Sequence, residues 1–294
     1  MPAWDQLAQY LVSGLTTGAI YALVALGFCL VYNATGIVNF AQGDFLSLGG
    51  LVMYSTLVGL AWPALLAFPA AVAAVMVVGA LLERLALRPA RSREVTVLIF
   101  ITIAASTLLR GLYKLGWGKD ALALPPLSRE VPLHFAGAVF TPQNLWVVGI
   151  TVAAIGLLGW FFSRTLTGKA LRATAANPRA ARLMGIDVGR MNLYSFSLAG
   201  GLGALAGVII TPITSLSYDV GVIMGLKGFA AAVLGGYGSF PGAILGGVVL
   251  GLLESLGAGL ISSAYKDVIA FLVLVLVLFA RPGGLMNVRE RGRV

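Results

Sequence analysis

The sequence predicts an all-α polytopic membrane protein with eight to nine transmembrane helices, broken or re-entrant segments and a cytoplasmic helix, in one domain over residues 1–294. Composition is the first observation behind this class. Hydrophobic residues make up 59% of the chain and charged residues 11%, and the mean hydropathy is +0.95, which lies outside the range of soluble domains. The second observation is a series of apolar windows that can cross a bilayer. The third is the grouping of basic residues into three short segments.

The basic residues indicate which ends of the windows face the cytoplasm. They fall mainly in residues 83–94, 164–190 and 281–294, which the positive-inside rule places in the cytoplasm. The formal net charge of +9 is therefore a sign of topology. We expect the protein to contact the lipid bilayer and not nucleic acid.

Nine apolar windows follow one another along the chain. They lie near residues 8–32, 43–60, 64–82, 95–112, 144–163, 191–212, 222–238, 240–258 and 265–281. Nine crossings would place the N-terminus outside and all three basic segments inside, whereas eight would leave one glycine-rich piece as a re-entrant half-helix. We expect the first window to be an uncleaved span, because no basic segment precedes it.

The chain has one cysteine, Cys29, and one histidine, His134. Cys29 lies within an apolar window, where core packing is the expected role. His134 lies in the stretch 113–144, whose "PP" and "TP" pairs predict an external loop, so we expect an exposed histidine. We therefore expect no metal site, cofactor or catalytic residue in this chain.

The stretch "ATGIVNFAQGDFLSLGG" places polar side chains in an apolar region. Residues 6–43 carry no charge, and these 38 residues are too many for one crossing and too few for two with a turn. We therefore expect a broken helix or re-entrant loop over residues 33–44, beside a pathway. Asn39 and Gln42 share a helix face, and either a pathway role or a structural role is open to them. For Asp44 we favour the N-cap of the next helix, with a pathway role as the alternative.

A second glycine-rich region, residues 219–254, contains ten glycines. Its repeated spacing of four allows helix backbones to approach closely. The stretch "GGYGSFPG" predicts a turn or second break, with Gly236 as a pathway candidate. Lys227 is expected near an external helix end, where its side chain would extend to the surface, with a pathway role as the alternative. Glu254 is either a functional intramembrane carboxylate or a buried contact between helices.

The basic region "SRTLTGKALRATAANPRAARLMGIDVGRMN" predicts a short amphipathic helix. Asn177 and Pro178 can start such a helix, and Gly185 can end it. A helix with arginines on one side and Ala, Leu and Met on another suits the groove of a partner protein. The alternative is a plain basic loop.

Three stretches resemble a known family: "GLTTGAIYALVALGFCLVYNATGIVNFAQGDFLSLGG", "ANPRAARLMGID" and "GFAAAVLGGYGSFPGAILGGVVLGLLE". They look like the LivH-type permeases of ATP-binding-cassette importers for branched-chain amino acids. The resemblance covers residues 15–284, and the family also includes permeases for urea and short amides. It implies a second homologous permease subunit, two cytoplasmic ATPase subunits and a periplasmic solute-binding protein as partners.

The same resemblance implies that residues 173–187, within a coupling loop at 164–190, form the helix that contacts an ATPase. The residues expected to couple the two subunits are Arg172, Ala173, Asn177, Arg179, Arg182, Gly185 and Ile186. No "GxxxxGK[ST]" motif occurs in the chain, so ATP must be hydrolysed by another subunit or replaced by an ion gradient.

Three classes of function follow from these observations. The first is an importer permease in the bacterial inner membrane, which carries branched-chain or related hydrophobic amino acids by ATP-driven alternating access. Urea and short amides are the alternative solutes. The second is an ion-coupled transporter that titrates Asp44, Lys227 or Glu254. The third, an intramembrane enzyme, lacks any supporting motif.

Overall fold

The computed structural model describes residues 3–92, 94–128, 131–135 and 138–286, and most of these are helical. Eleven α-helices are found in these residues, with bounds α1 Ala3–Thr35, α2 Gln42–Tyr54, α3 Ala64–Leu82, α4 Val95–Trp117, α5 Pro142–Arg164, α6 Leu166–Ala176, α7 Pro178–Leu183, α8 Val188–Thr214, α9 Val220–Gly235, α10 Phe240–Leu260 and α11 Lys266–Ala280. Single π-helical turns, Ser55–Gly59 and Glu83–Leu87, extend α2 and α3.

The connection between α4 and α5 carries a short antiparallel hairpin, which the sequence did not predict. Its strands are β1 Leu133–Phe135 and β2 Ala138–Phe140. His134 lies in β1, and its side chain falls outside the described part of the molecule. The same connection is tied to the end of α8, because the backbones of Leu122 and Leu216 exchange two hydrogen bonds of 2.8 Å.

A helix occupies each of the nine predicted apolar windows. Among the described residues six helices are long and apolar enough to cross a membrane, namely α1, α3, α4, α5, α8 and α10. The helices in the other three windows, α2, α9 and α11, are shorter, with 13, 16 and 15 residues. The chain is therefore a multi-pass helical membrane protein.

Helix α1 forms the centre of the bundle. The most apolar part of α1 is 89% buried, whereas that of α4 is 11% buried and that of α5 is 22% buried. Its main partner is α10, which runs antiparallel to it: Gly14 lies against Leu252, and Gly18 lies against Gly247. Small residues at such a contact let two backbones approach closely, which stabilises helix pairs in lipid. Cys29 is fully buried in this core, as expected.

Helices α1–α3 form one unit and helices α8–α10 form a second. The two units pack in the same way, but corresponding helices run in opposite directions. Helix α10 packs on α1 as α3 packs on α8, and α9 runs beside α1 as α2 runs beside α8. In each unit a long helix is followed by an extended segment and then by a short helix. These extended segments are residues 36–41 and 215–219. Such inverted repeats with interrupted helices are a recurring architecture of transporters.

One end of the bundle collects the basic residues, and we call it the basic end. It contains the C-terminal ends of α3 and α5, the N-terminal ends of α4 and α8, and helices α6 and α7. The α9–α10 turn also lies there, since the amide of Asn33 near the end of α1 donates to the carbonyl of Gly238. Backbone hydrogen bonds from Leu285 and Met286 join the end of the described chain to Leu234 and Gly235. The rest of the third basic segment, residues 287–294, lies outside the described residues.

Candidate functional site

The break between α1 and α2 returns the chain into the bundle. The side chain of Gln42, the first residue of α2, lies against Gly27, eight residues before the end of α1. Eight helical residues correspond to about 12 Å along the helix axis. Residues 36–41 therefore return by about 12 Å from the end of α1 into the bundle. The prediction of a broken helix or re-entrant segment over residues 33–44 is therefore confirmed, and α2 begins deep within the apolar part of the molecule.

Asn39 and Gln42 are fully buried and hold the shape of this break. The side-chain oxygen of Asn39 accepts a hydrogen bond of 3.1 Å from the backbone N–H of Ala41, which closes a local turn. The side-chain amide of Gln42 donates to the carbonyl oxygen of Ala199 on α8 at 2.9 Å. These contacts favour the structural role for both residues, although within the described residues Nδ2 of Asn39 and Oε1 of Gln42 have no hydrogen-bond partner.

Asp44 does not cap α2, so that interpretation of the sequence was wrong. The N-cap position is held by Ala41, and Asp44 is the third residue of the helix. Its carboxylate instead lies 3.6 Å from Nε of Arg110 on α4, and Ser106 on the same helix hydrogen-bonds to it. The helix starts earlier than expected because Asn39 already forms the turn that a cap would form.

The first turn of α9 lies against the first turn of α2. The backbones of Gly43 and Gly221 touch, and the N–H of Gly221 donates to Oγ of Ser47 at 2.9 Å. Residues 215–219, and not the predicted second break at residues 235–242, are therefore the counterpart of the first break. The stretch 235–242 is a turn between α9 and α10 at the basic end, where Gly236 has a φ of 107° and packs against Gly284.

A cleft of about 220 Å³ opens beside this meeting point, and we call it the inter-repeat cleft. Its polar side chains are Asp44, Ser106 and Arg110, and its aromatic side chains are Phe28, Phe40 and Phe229. The sequence reasoning did not single out Arg110 or Ser106. The signal was present, however, because Arg110 is a charged residue within an apolar window and outside the three basic segments.

Lys227 and Glu254 form a buried ionic cluster away from this cleft. Oε1 of Glu254 lies 2.7 Å from Nζ of Lys227 and 2.8 Å from Nζ of Lys266, and its Oε2 accepts from the hydroxyl of Tyr21 at 2.6 Å. The cluster joins α1, α9, α10 and α11. The expectation that Lys227 extends to the surface was wrong, because α9 starts inside the bundle and Lys227 is only 5% exposed. The alternative of a buried helix contact holds for Glu254.

The basic segment between α5 and α8 contains two helices joined by a bend. Helix α6 ends at Ala176 and α7 begins at Pro178, so the predicted single helix over residues 173–187 is interrupted. The start at Pro178 and the end at Gly185, whose φ is 81°, are as predicted. Leu171, Thr174 and Ala181 are buried and attach the segment to the bundle.

The exposed face of this segment carries most of the predicted coupling residues. Arg172, Ala173, Asn177, Arg179, Arg182 and Gly185 are exposed, and Ile186 is half-buried. Two large apolar side chains, Leu183 and Met184, are 89% and 82% exposed at the tip. Asp187 then caps α8, and the N–H and guanidinium of Arg190 lower its pKa. The cap is therefore weakened only when the pH falls toward that lowered pKa.

Replacing Asn177 is expected to loosen α7. Its side-chain oxygen accepts two hydrogen bonds of 3.0 Å, from the N–H groups of Arg179 and Ala180. Asn177→Ala removes both, and loss of such a cap costs about 1 kcal/mol, so we expect amide hydrogen exchange in α7 to accelerate by roughly fivefold. Asn177→Asp keeps the acceptor and should exchange nearly as the parent does. Equal rates in all three proteins would contradict this role for the cap.

Clusters of three or more His, Cys, Asp or Glu side chains that could hold a metal ion are not found within the described residues. The inter-repeat cleft combines charges of both signs with aromatic rings, and it is the first candidate site. The exposed tip of α7 is a second candidate, because it presents apolar and basic groups at the basic end.

Comparison with known proteins finds similarity over nearly the whole chain. Residues 10–278 match the family described as "Branched-chain amino acid transport system / permease component". The chain is 34% identical to the high-affinity branched-chain amino acid transport system permease protein BraD of Pseudomonas aeruginosa, with both chains fully covered. It is 33% identical to LivH of Escherichia coli K12, a permease protein of the same description, over 97% of each chain.

The chain also has more distant similarities. The ribose import permease protein RbsC of Escherichia coli K12 is 30% identical over 88% of this chain and 81% of its own. Among solved structures, a chain of PsaBC from Streptococcus pneumoniae, in complex with Fab, matches with a TM-score of 0.53. That match covers 93% of this chain and 92% of the other at 15% identity, so it concerns the fold alone.

Proposed function

The chain belongs to the family of branched-chain amino acid transport permeases, and from this premise we propose that it is the membrane-spanning subunit of an ATP-binding-cassette importer. Its solutes are branched-chain or related hydrophobic amino acids, which cross the bacterial inner membrane by ATP-driven alternating access. The observation that carries the proposal is the similarity over the full chain length to permease proteins of this description. The chain lacks the phosphate-binding motif of an ATPase, so hydrolysis is assigned to separate subunits.

The proposed assembly contains a second, homologous permease subunit, two cytoplasmic ATPase subunits and a periplasmic solute-binding protein. The chain contributes a single transmembrane permease domain over residues 1–294. The order of the helices supports nine crossings, in which α2 and α9 cross together with the extended segments before them. The N-terminus is then periplasmic and the basic end is cytoplasmic, in agreement with the positive-inside rule.

An ion-coupled transporter is less well supported by the contacts of its proposed titrating groups. Glu254 and Lys227 form an ion pair in the packed interior, where neither faces the inter-repeat cleft. An alternating ion site would need a carboxylate that water reaches from each side in turn. Asp44 alone borders a cleft, and it has Arg110 beside it.

Purification with its neighbours tests the proposed class directly. The chain is co-expressed with the transport genes next to it, solubilised in detergent, and assayed for ATP hydrolysis with and without a loaded binding protein. We expect a second permease and two ATPase subunits to co-purify, and leucine-loaded binding protein to stimulate hydrolysis. Transport by the chain alone in liposomes without ATP would overturn the proposal.

We further propose that residues 164–190 form the coupling loop and that α7 is its contact with an ATPase subunit. The exposed apolar tip of Leu183 and Met184, with Arg179 and Arg182 beside it, suits a groove that has an apolar floor and an acidic rim. The cap of Asn177 and the positive φ of Gly185 hold this tip in place. ATPase closure would then move the start of α8 through residues 186–187.

Polar replacement of the α7 tip is expected to uncouple the transporter. In the variant Leu183→Gln/Met184→Gln we expect the rate of ATP hydrolysis with loaded binding protein to fall to the basal rate, because about 1.5–3 kcal/mol of apolar contact per side chain is lost. Arg179→Ala and Arg182→Ala should act in the same direction. Leu166→Gln is the control, since Leu166 is 84% exposed at the start of α6. Unchanged stimulation in the α7 variants would refute the coupling role.

A further inference from the structure

The inter-repeat cleft brings opposite charges together at membrane depth without closing them into a tight pair. Asp44 is 2% exposed, and its Oδ1 lies 3.6 Å from Nε of Arg110, which is beyond hydrogen-bond distance. Within the described part of the chain that oxygen accepts no hydrogen bond. The side chain of Arg110 is 33% exposed, and its Nε also donates to the backbone carbonyl of Ser106 at 3.4 Å. A buried carboxylate in such a setting is costly, so its presence needs an explanation beyond packing.

The starts of two helices add a fixed field to this cleft. Asp44 lies in the first turn of α2, and Gly221 lies in the first turn of α9. The N-terminal ends of helices carry partial positive charge, which stabilises an anion. Together with Arg110 they favour a solute carboxylate, while the carboxylate of Asp44 favours a solute cation. In transporters with interrupted helices such ends commonly meet the polar groups of the solute.

The remaining walls of the cleft are apolar. Phe28, Phe40 and Phe229 lie on α1, in the α1–α2 break and on α9, and the rings of Phe28 and Phe229 pack edge to face at 5.6 Å. Ile103 on α4 continues this surface and is 39% exposed. The volume of 220 Å³ equals that of about seven water molecules at ~30 Å³ each. That is room for a solute of the size of an amino acid.

We propose that the inter-repeat cleft recognises the zwitterion of a free α-amino acid during its passage. Asp44 binds the α-ammonium group, Arg110 binds the α-carboxylate, and the phenylalanines contact the apolar side chain. This inference rests on the proposed function and adds to it a selection step within the permease itself. It predicts that solutes lacking either charge, such as amides or fatty acids of the same shape, pass poorly even when they are delivered to the site.

Uptake by charge-deleted variants separates recognition from a merely structural ion pair. We expect Asp44→Asn and Arg110→Gln each to lower the maximal rate of leucine uptake in proteoliposomes by at least about tenfold, with uptake expressed per amount of assembled transporter. Lys114→Gln, which removes an exposed charge one turn further along α4, is the matched control.

The double variant Asp44→Asn/Arg110→Gln decides between the two roles. If the pair only holds α4 against α2, removing both charges should restore uptake, because the cost of the single variants comes from one unpaired buried charge. If the pair recognises the solute, the double variant should remain as slow as the single ones. Restored uptake, or unaffected single variants, would overturn the proposal.

Alkylation of a cysteine placed in the cleft measures solute binding without measuring transport. Ile103→Cys introduces a reactive thiol at the cleft, and the fully buried Cys29 of the parent chain serves as the background control. In the purified assembly we expect leucine to slow alkylation of the new thiol, and leucinamide or 4-methylpentanoate to have little effect. Equal protection by all three, or none by leucine in an assembly that still transports it, would refute recognition but not the importer class. If the parent assembly shows no ATP-dependent leucine uptake, the proposed function itself is refuted.

Discussion

Alanine at Gly43 or at Gly221 is expected to destabilise the folded protein strongly, although alanine favours helices. A Cβ on Gly43 would overlap the carbonyl oxygen of Gly221, and a Cβ on Gly221 would overlap that of Gly43. Both obstacles are backbone atoms, so no change of rotamer relieves them, and α2 and α9 must separate. We expect each variant to lose about 3 kcal/mol or more of stability, the upper range for overpacking, and to lose leucine uptake.

Gly156→Ala on α5 is the matched control for this prediction. Nothing lies within 4 Å of a Cβ at that position. Because alanine exceeds glycine in helix propensity by about 1 kcal/mol, this control should be neutral or slightly stabilised. Size-exclusion profiles and thermal unfolding in detergent measure both effects. A Gly43→Ala protein that remains monodisperse and unfolds at the parent temperature would show that the two helix starts are not held together.

Removing the shared carboxylate of the buried ionic cluster is expected to produce the second large effect. In Glu254→Gln the residue keeps its shape, but Lys227 and Lys266 lose the acid that both contact. Breaking a buried ion pair on one side costs about 3–5 kcal/mol. We therefore expect a marked fall of the unfolding temperature in detergent, since α9, α10 and α11 are joined at this residue.

Two further variants check the origin of that fall. Lys266→Gln leaves the pair of Lys227 and Glu254 intact, and Lys266 is 43% exposed, so the expected loss is at most about 1 kcal/mol. Lys227→Met/Glu254→Leu replaces the pair by apolar groups and should recover most of the stability. If this double variant is as unstable as Glu254→Gln, shape and not charge determines the role of the cluster.

The sequence was sufficient for the helices of the nine apolar windows and for the first break, but not for the bend between α6 and α7 or for the partners of the polar groups. The 38 uncharged residues required an interruption, and their count locates it because a crossing has a fixed length. Whether Asp44 caps a helix or borders a cleft depends on Arg110, which lies on another helix. Periodicity along one segment carries no information about that contact.

The depth of Lys227 was predicted wrongly for a related reason. A crossing counted from residue 222 places Lys227 near a membrane surface, but α9 begins beside Gly43 inside the bundle. The extended residues 215–219 take up the first part of that crossing. Their polar run "SLSYD" resembles an ordinary loop, so its equivalence to residues 36–41 emerges only from the inverted packing of the two units.

The pairing of α1 with α10 has a consequence for how the protein is made. Helix α1 enters the membrane before α10, and α10, the helix that covers the glycine face of α1, starts at Phe240, about 200 residues later. At a synthesis rate of about 5–20 residues per second, the ribosome needs roughly 10–40 s to deliver it. During that interval the nascent chain exposes the face of α1 that carries Gly14 and Gly18 to lipid or to a chaperone. A chain that stops before α10 therefore leaves α1 uncovered, and membrane quality control can recognise it as incomplete.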